Sequence, residues 1–326
     1  MSLTFKHTII HVLDKDMGMP LLSTDLLTLN DETEDFITRH LIKIFESSAS
    51  SEAVFTEEAS LPAQFDAPLT SERFMELSGE IAGAFYRYMQ EYGNIPSGDL
   101  VLTSFMMDGE NYFGILKLNY KEEYTHFVEQ ADGCVVTKII KNKGIFPGGS
   151  KQVDEGMIVS IDNFKAVVLD NSKDKYLKHL FDLTTALSVK ETIKAIENVA
   201  SKVIEEHYDN PISAMTELKN NITESIARTQ TIPVEEIMEQ TFGQDEEVFS
   251  SCMEHIEEYG LKEAKVEVTD NKISNKFASQ KLKTDTGIEI KMPTHLFKDP
   301  DFIEIVNEPN GTISIVIKNV SQLVNK

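Results

Sequence analysis

The stretch from Leu100 to Tyr120 reads LVLTSFMMDGENYFGILKLNY. Two apolar runs rich in β-forming residues, LVLTSFMM and YFGILKLNY, flank the four-residue segment DGEN. Asp108 and Gly109 in this segment are residue types that tight hairpin turns favour. The stretch therefore predicts a β-hairpin in the middle of a sheet, and the rest of the chain is interpreted around it.

Other β-rich segments lie on both sides of this hairpin. Residues 3–14 alternate in the manner of a strand, and three short runs follow the hairpin at 135–140, 157–161 and 165–169. The hairpin and the three later runs predict a five-strand region. Their short connections favour an antiparallel meander or a mixed sheet.

Two amphipathic helices are predicted between the first strand and the hairpin. The first covers about 32–46 behind a cap at Asn30 or Asp31. The second ends near Glu91 behind a cap at Thr70 or Ser71, and its apolar residues recur every three or four positions. Both helices are predicted to pack on one face of the sheet.

The composition changes to helical from about Lys173, and we place a domain boundary near residue 185. The predicted class is α+β, with an N-terminal antiparallel or mixed sheet and packed helices in 1–185. The second domain, 186–326, is predicted to hold a helical region (186–260) and a small C-terminal α+β unit (261–326). That last unit would contain several short strands and a helix at about 271–281.

The charge balance limits the kinds of partner that the chain can bind. Its 31 basic and 54 acidic side chains give a net charge of −23, which disfavours generic adhesion to phosphate or anionic lipid. Nearly all the basic residues are lysines. Arginine, the usual bidentate reader of guanine, is scarce, so base-specific recognition is disfavoured while phosphate contacts remain available.

Cysteine usage and hydropathy indicate a soluble cytoplasmic protein. Cys134 and Cys252 are far apart and lack CxxC spacing, so neither a disulfide framework nor a zinc site is predicted. No segment approaches the roughly 18 consecutive apolar residues of a membrane helix, and we predict no membrane association.

Sequence motifs give no support for an enzyme. No string matches a phosphate-binding loop, a dinucleotide fingerprint or a GxSxG nucleophile elbow. We therefore predict a non-enzymatic protein without catalytic residues, bound metal or cofactor. Four groups of residues could either form a ligand site or have a structural or solvent-facing role. They are His7 with His11, Asp108 with Glu110 and Asn111 in the hairpin turn, the GGSK segment at 148–151, and Glu254, His255, Glu257 and Glu258.

The distribution of charge is more informative than any motif. Residues 186–260 contain 16 acidic and 5 basic side chains, whereas residues 261–298 contain 8 lysines and 5 acidic residues. Small lysine clusters are candidates for phosphate contacts, although a solvated face is the commoner role of such lysine-rich segments. The first cluster is Lys138, Lys141 and Lys143, the second is Lys173, Lys175 and Lys178, and the third is Lys276, Lys281 and Lys283.

The layout resembles the bacterial nucleoid-associated proteins of the NdpA or YejK type over nearly the full length. The resemblance rests on IIHVLD (9–14), the hairpin, the strand pair followed by SKDKYL and a long helix (157–207), and the ending with TGIEIKMP (286–293) and NGTISIVIKN (310–319). The family implies cytoplasmic proteins that accompany the nucleoid and are thought to bind DNA.

We predict weak, sequence-independent DNA binding through the lysine clusters, at the nucleoid. The alternative is a protein-interaction or scaffolding module that is recruited to the nucleoid without direct DNA contact. Its partner would then bind the acidic helices in 186–260. The oligomeric state is left open.

Overall fold

The computed structural model describes residues 3–131, 134–147, 153–207, 211–268, 273, 279–293, 296, 299–308 and 312–322. The chain forms two compact units, Met1–Ser188 and Val189–Lys326. The domain limits drawn from the sequence, near residue 185 and residue 260, stay predictions.

The described part of the first unit contains nine strands and three α-helices. The strands are β1 (Leu3–Leu13), β2 (Ser50–Phe55), β3 (Gly98–Met107), β4 (Glu110–Asn119), β5 (Lys121–Ala131), β6 (Cys134–Ile145), β7 (Glu155–Ser160), β8 (Lys165–Asp170) and β9 (Leu183–Thr185). The helices are α1 (Asp31–Glu46), α2 (Ser71–Glu91) and α3 (Leu177–Leu180).

Seven of these strands form one sheet in the order β1-β3-β4-β7-β8-β2-β9. Every neighbouring pair is antiparallel, which confirms the α+β class and resolves the choice between an antiparallel and a mixed sheet. The β3–β4 hairpin lies inside the sheet, between β1 and β7. Its turn residues Asp108 and Gly109 have φ values of 51° and 91°, the left-handed region that Gly tolerates best.

The two long helices cover opposite faces of this sheet, so the prediction that both pack on one face is wrong. On β3, Leu100 and Leu102 belong to the core beneath α2, while the alternate residues Val101 and Phe105 belong to the core beneath α1. Side chains alternate across a strand, so a strand that is apolar throughout must be covered on both sides.

Two glycines let α1 approach the sheet closely. A Cβ atom at Gly156 would lie 2.5 Å from the Cδ1 atom of Ile44, and one at Gly114 would lie 2.9 Å from the Cδ2 atom of Leu41. Both helix residues are fully buried. The seam between α1 and the sheet therefore depends on the absence of side chains at these two positions.

Acid is expected to weaken this seam through His40 on α1. The ring is fully buried and packs edge-to-face against Phe36 at 4.6 Å between centroids. Burial, followed by the nearby charge of Lys43, lowers the pKa of His40 from 6.5 to about 4. Between pH 6.5 and 4, the His40 imidazole therefore binds a proton in the unfolded chain but not in the folded chain. The free energy of unfolding should accordingly fall as the pH drops from 6.5 towards 4.

Denaturant unfolding at several pH values tests this expectation. His40→Phe should make the free energy of unfolding less dependent on pH between 4 and 6.5. His207→Gln, at the exposed end of the helix Val189–His207, is the control for loss of a surface histidine. An unchanged pH dependence in His40→Phe would contradict the assignment.

The run at 135–140 does not belong to the main sheet. It lies in β6, which pairs with β5 to form a separate two-stranded ribbon, hereafter the ribbon. The sequence prediction missed β5, and the main sheet instead gains β1, β2 and β9. The ribbon follows β4 directly in the chain. Just after its second strand, the Phe146 ring lies 6.5 Å from that of Phe36 on α1, between centroids.

The described part of the second unit contains a helical core and short β-pairs. Its helices are α4 (Val189–His207), α5 (Pro211–Thr229), α6 (Val234–Phe242) and α7 (Glu246–Glu258). Its strands are β10 (Thr231–Pro233), β11 (Lys265–Glu267), β12 (Ser279–Lys283), β13 (Glu289–Pro293), β14 (Ile303–Asn307) and β15 (Ile313–Ile317), paired β10–β11, β12–β13 and β14–β15.

The helical region predicted after the first sheet is observed as α4 to α7. The helix predicted at about 271–281 lies largely outside the described residues, and its last positions, 279–281, are strand instead. None of the helices in the described ranges combines the length and apolar character needed to cross a bilayer.

Candidate nucleic-acid interface

The first lysine cluster lies on the ribbon and is largely neutralised. Lys138 forms an ion pair with Glu129, and Lys141 forms one with Glu122. Because side chains alternate along a strand, Lys138 and Lys141 point to opposite faces of the ribbon. The first cluster, which also includes Lys143, therefore does not form one positive face.

The third lysine cluster belongs to the second unit. Lys281 and Lys283 lie on β12, and the Nζ atom of Lys281 is 2.7 Å from the Oε2 atom of Glu289 on β13. Lys276 lies outside the described residues. One of the two described lysines is thus already paired with a carboxylate.

One member of the second lysine cluster, Lys173, lines a pocket in the first unit. The pocket has a volume of about 630 Å³, and the exposed Lys173 is one of its lining residues. Lys175 and Lys178 each adjoin in sequence another lining residue, Tyr176 and His179 respectively. This volume lies within the range of small-ligand pockets, roughly 300–1,000 Å³.

A stack of three tyrosine rings lines the same pocket. Tyr88 lies between Tyr92, with ring centroids 4.3 Å apart and planes at 28°, and Tyr176, at 5.7 Å and 26°. Tyr88 and Tyr92 are one helical turn apart at the end of α2. Tyr176 is buried, whereas Tyr92 is 45% exposed and forms the open end of the tyrosine stack.

A buried polar network holds the inner end of the tyrosine stack. The Tyr176 hydroxyl donates to the Oε2 atom of Glu155 at 2.7 Å, and the Nδ2 atom of Asn119 donates to Oε1 at 3.2 Å. The Lys117 ammonium lies 3.4 Å from Oε2 and donates to the carbonyl oxygen of Pro96 at 2.9 Å. The charge of Glu155 is therefore balanced inside the protein.

Burial determines the protonation behaviour of this network. It lowers the pKa of the Lys117 ammonium, and the adjacent Glu155 carboxylate opposes that shift. Burial, followed by the charge of Glu155, raises the pKa of the Tyr176 hydroxyl well above its ordinary value. The hydroxyl therefore stays protonated at neutral pH and keeps donating to Glu155, which fixes the ring of Tyr176.

Aromatic rings beside an exposed ammonium can stack an unpaired base and contact its phosphate. The sequence analysis does not predict this arrangement, because the fold brings Tyr88 of α2 to Tyr176 from a distant part of the chain. The spacing of Tyr88 and Tyr92 on α2 was the only local signal.

The histidine pair considered for metal binding has structural partners. The Nε2 atom of His11 lies 3.0 Å from the Ser78 hydroxyl, and the Nδ1 atom of His7 lies 3.1 Å from the Ser104 hydroxyl. Within the described ranges, no group of three or more His, Cys, Asp or Glu side chains is arranged to hold a metal ion. The 148–151 segment lies outside those ranges.

The antiparallel sheet, the ribbon and the tyrosine-lined pocket define an α+β protein. The chain matches the family model described as nucleoid-associated protein YejK over residues 9–324. It therefore belongs to this family, which confirms the resemblance seen in the sequence. A search of the curated proteins found no match.

Proposed function

We propose that this nucleoid-associated protein binds single-stranded DNA weakly and without sequence preference. An unpaired base stacks on the exposed ring of Tyr92 and extends the tyrosine stack. The adjoining phosphate contacts Lys173. The observation that carries the proposal is the junction of the tyrosine stack and an exposed lysine in one pocket.

The charge map makes this binding local. With a net charge of −23, the chain as a whole repels a polyanion, and only a few phosphates can be neutralised around the second lysine cluster. For single strands, the slope of log affinity against log salt is about −0.7 per neutralised phosphate. With no more than about three such contacts, the slope should be about −2 or shallower.

Tyr92→Ala is expected to weaken binding of a fluorescent oligothymidylate by about 5- to 150-fold, because a base–aromatic stack is worth about 1–3 kcal/mol. The measurement is fluorescence anisotropy at low salt. Tyr259→Ala is the matched control, since both tyrosines are 45% exposed and Tyr259 lies in the other unit. Equal affinities of the two variants would contradict the site.

Charge reversal separates the three lysine clusters. Lys173→Glu should weaken binding and make the salt slope shallower by about 0.7, whereas Lys143→Glu and Lys283→Glu should leave both quantities close to the parent values. A duplex of the same length should bind less tightly, because its bases are not free to stack. Failure to retain any single strand at low salt would overturn the proposal.

A second candidate function is that of a protein-interaction module acting through the acidic helices. On α6 and α7 the exposed faces carry many carboxylates and the apolar residues face the core. A basic protein partner suits such a face, and DNA does not. A partner that stays bound after nuclease treatment would favour this function. The exposed acidic residues are Glu235, Glu236, Glu239, Asp245, Glu246, Glu247, Glu254, Glu257 and Glu258.

A further inference from the structure

The ribbon exposes large apolar side chains on both of its faces. Tyr124 and Ile139 are 76% and 81% exposed. They lie on the same face of the ribbon, because Ile139 pairs with His126, which is two residues from Tyr124 on β5. Val135, on that face too, is 64% exposed. This surface is called the Tyr124 face below.

The opposite face of the ribbon is apolar as well, but less open. Phe127 and Ile140 are 49% and 39% exposed there. An isolated two-stranded ribbon is at best marginally stable in water, and a monomer rarely leaves such apolar surface uncovered. The ribbon therefore has the character of an interaction surface. Its Tyr124 face is the stronger candidate, because the apolar side chains there are more exposed than those on the opposite face.

The charges of the ribbon favour a second copy of the same chain over a charged partner. Its described residues hold four lysines and three glutamates, and two lysines are already paired across the strands. A nearly neutral ribbon gives a polyanion little attraction. Two chains of net charge −23 can also meet at their ribbons with little mutual repulsion, because each ribbon is nearly neutral and carries both positive and negative side chains.

The area of one face indicates the strength of such an association. Eleven residues span about 36 Å and two strands are roughly 10 Å wide, so each face covers about 350 Å². Two copies packed face to face would bury about 700 Å², which is below the 1,200 Å² of stable interfaces. The contact should accordingly be weak and concentration-dependent.

We propose that the Tyr124 face of the ribbon packs against the Tyr124 face of a second copy about a twofold axis, giving a weak homodimer. The apolar side chains of both ribbons interdigitate in the manner of a two-layer β-sandwich. This contact is independent of the tyrosine pocket, so Tyr92→Ala should not affect it.

Sedimentation velocity of the full chain from about 1 to about 200 µM tests the homodimer. The parent chain should shift towards dimer within this range. The double variant Tyr124→Ser/Ile139→Ser should raise the dissociation constant at least tenfold. The matched double variant Phe127→Ser/Ile140→Ser, on the opposite face, should leave it within about twofold. All four side chains are exposed, so the folded core is not involved.

A cross-link provides a second readout. Ile139→Cys in a Cys134→Ser background should form a disulfide between copies under mild oxidation, because the twofold axis brings the same face together. Three results would overturn the proposal: a monomer at every concentration, a dimer equally weakened by both double variants, or association that requires added DNA or lipid vesicles.

Discussion

Replacement of Glu155 by alanine is expected to lower the free energy of unfolding of the first unit by about 3–5 kcal/mol. The Lys117 ammonium, whose side chain is 1% exposed, would lose its ion-pair partner inside the protein. Breaking a buried pair from one side leaves an uncompensated charge, which costs far more than the pair itself contributes. Tyr176 would lose the acceptor of its hydroxyl as well.

Urea unfolding followed by circular dichroism measures this loss. Lys117→Met combined with Glu155→Gln should recover most of it, because the charge disappears while the amide oxygen still accepts from the Tyr176 hydroxyl. A loss below about 1 kcal/mol in Glu155→Ala would show that Lys117 does not depend on this carboxylate.

Phe113→Ala is expected to cost about 3–5 kcal/mol, by loss of apolar burial and creation of a cavity between the sheet and α2. The ring is fully buried, and its centroid lies 5.4 Å from that of Phe65 and 5.9 Å from that of Phe74. Phe74 stands on α2, so the cavity would open at the main helix–sheet contact.

The same change at an exposed position provides the control. Phe164→Ala, at a turn residue that is 37% exposed, should stay within about 0.5 kcal/mol of the parent chain. Chemical denaturation of both variants gives the comparison. Similar losses in the two would mean that Phe113 is not part of a tightly packed core.

Elements with strong local signals could be predicted from the sequence. The β3–β4 hairpin follows from its turn residues, and α1 and α2 follow from their apolar spacing and their caps at Asn30 and Thr70. Each signal lies within about twenty neighbouring residues. Propensity, capping and turn chemistry act at that range.

Features that depend on distant residues could not be predicted. β2 begins in a serine-rich segment and becomes a strand because β8 and β9 pair with both of its edges. The apolar run at 135–140 in the ribbon has the same sequence pattern as a strand of the main sheet, because the pattern does not distinguish an exposed apolar run from a buried one. The tyrosine pocket is formed by residues at the end of α2 and in the segment after β8, and no local sequence pattern connects these two segments.

The sheet order also governs how the chain can fold during synthesis. Ser50 on β2 pairs with Leu169 on β8, so β2 leaves the ribosome long before its neighbours exist. At about 5–20 residues per second, this strand waits roughly 6–24 s without a partner. The nascent first unit is therefore open to chaperones and to misassembly until β8 and β9 emerge, and only then does the sheet close.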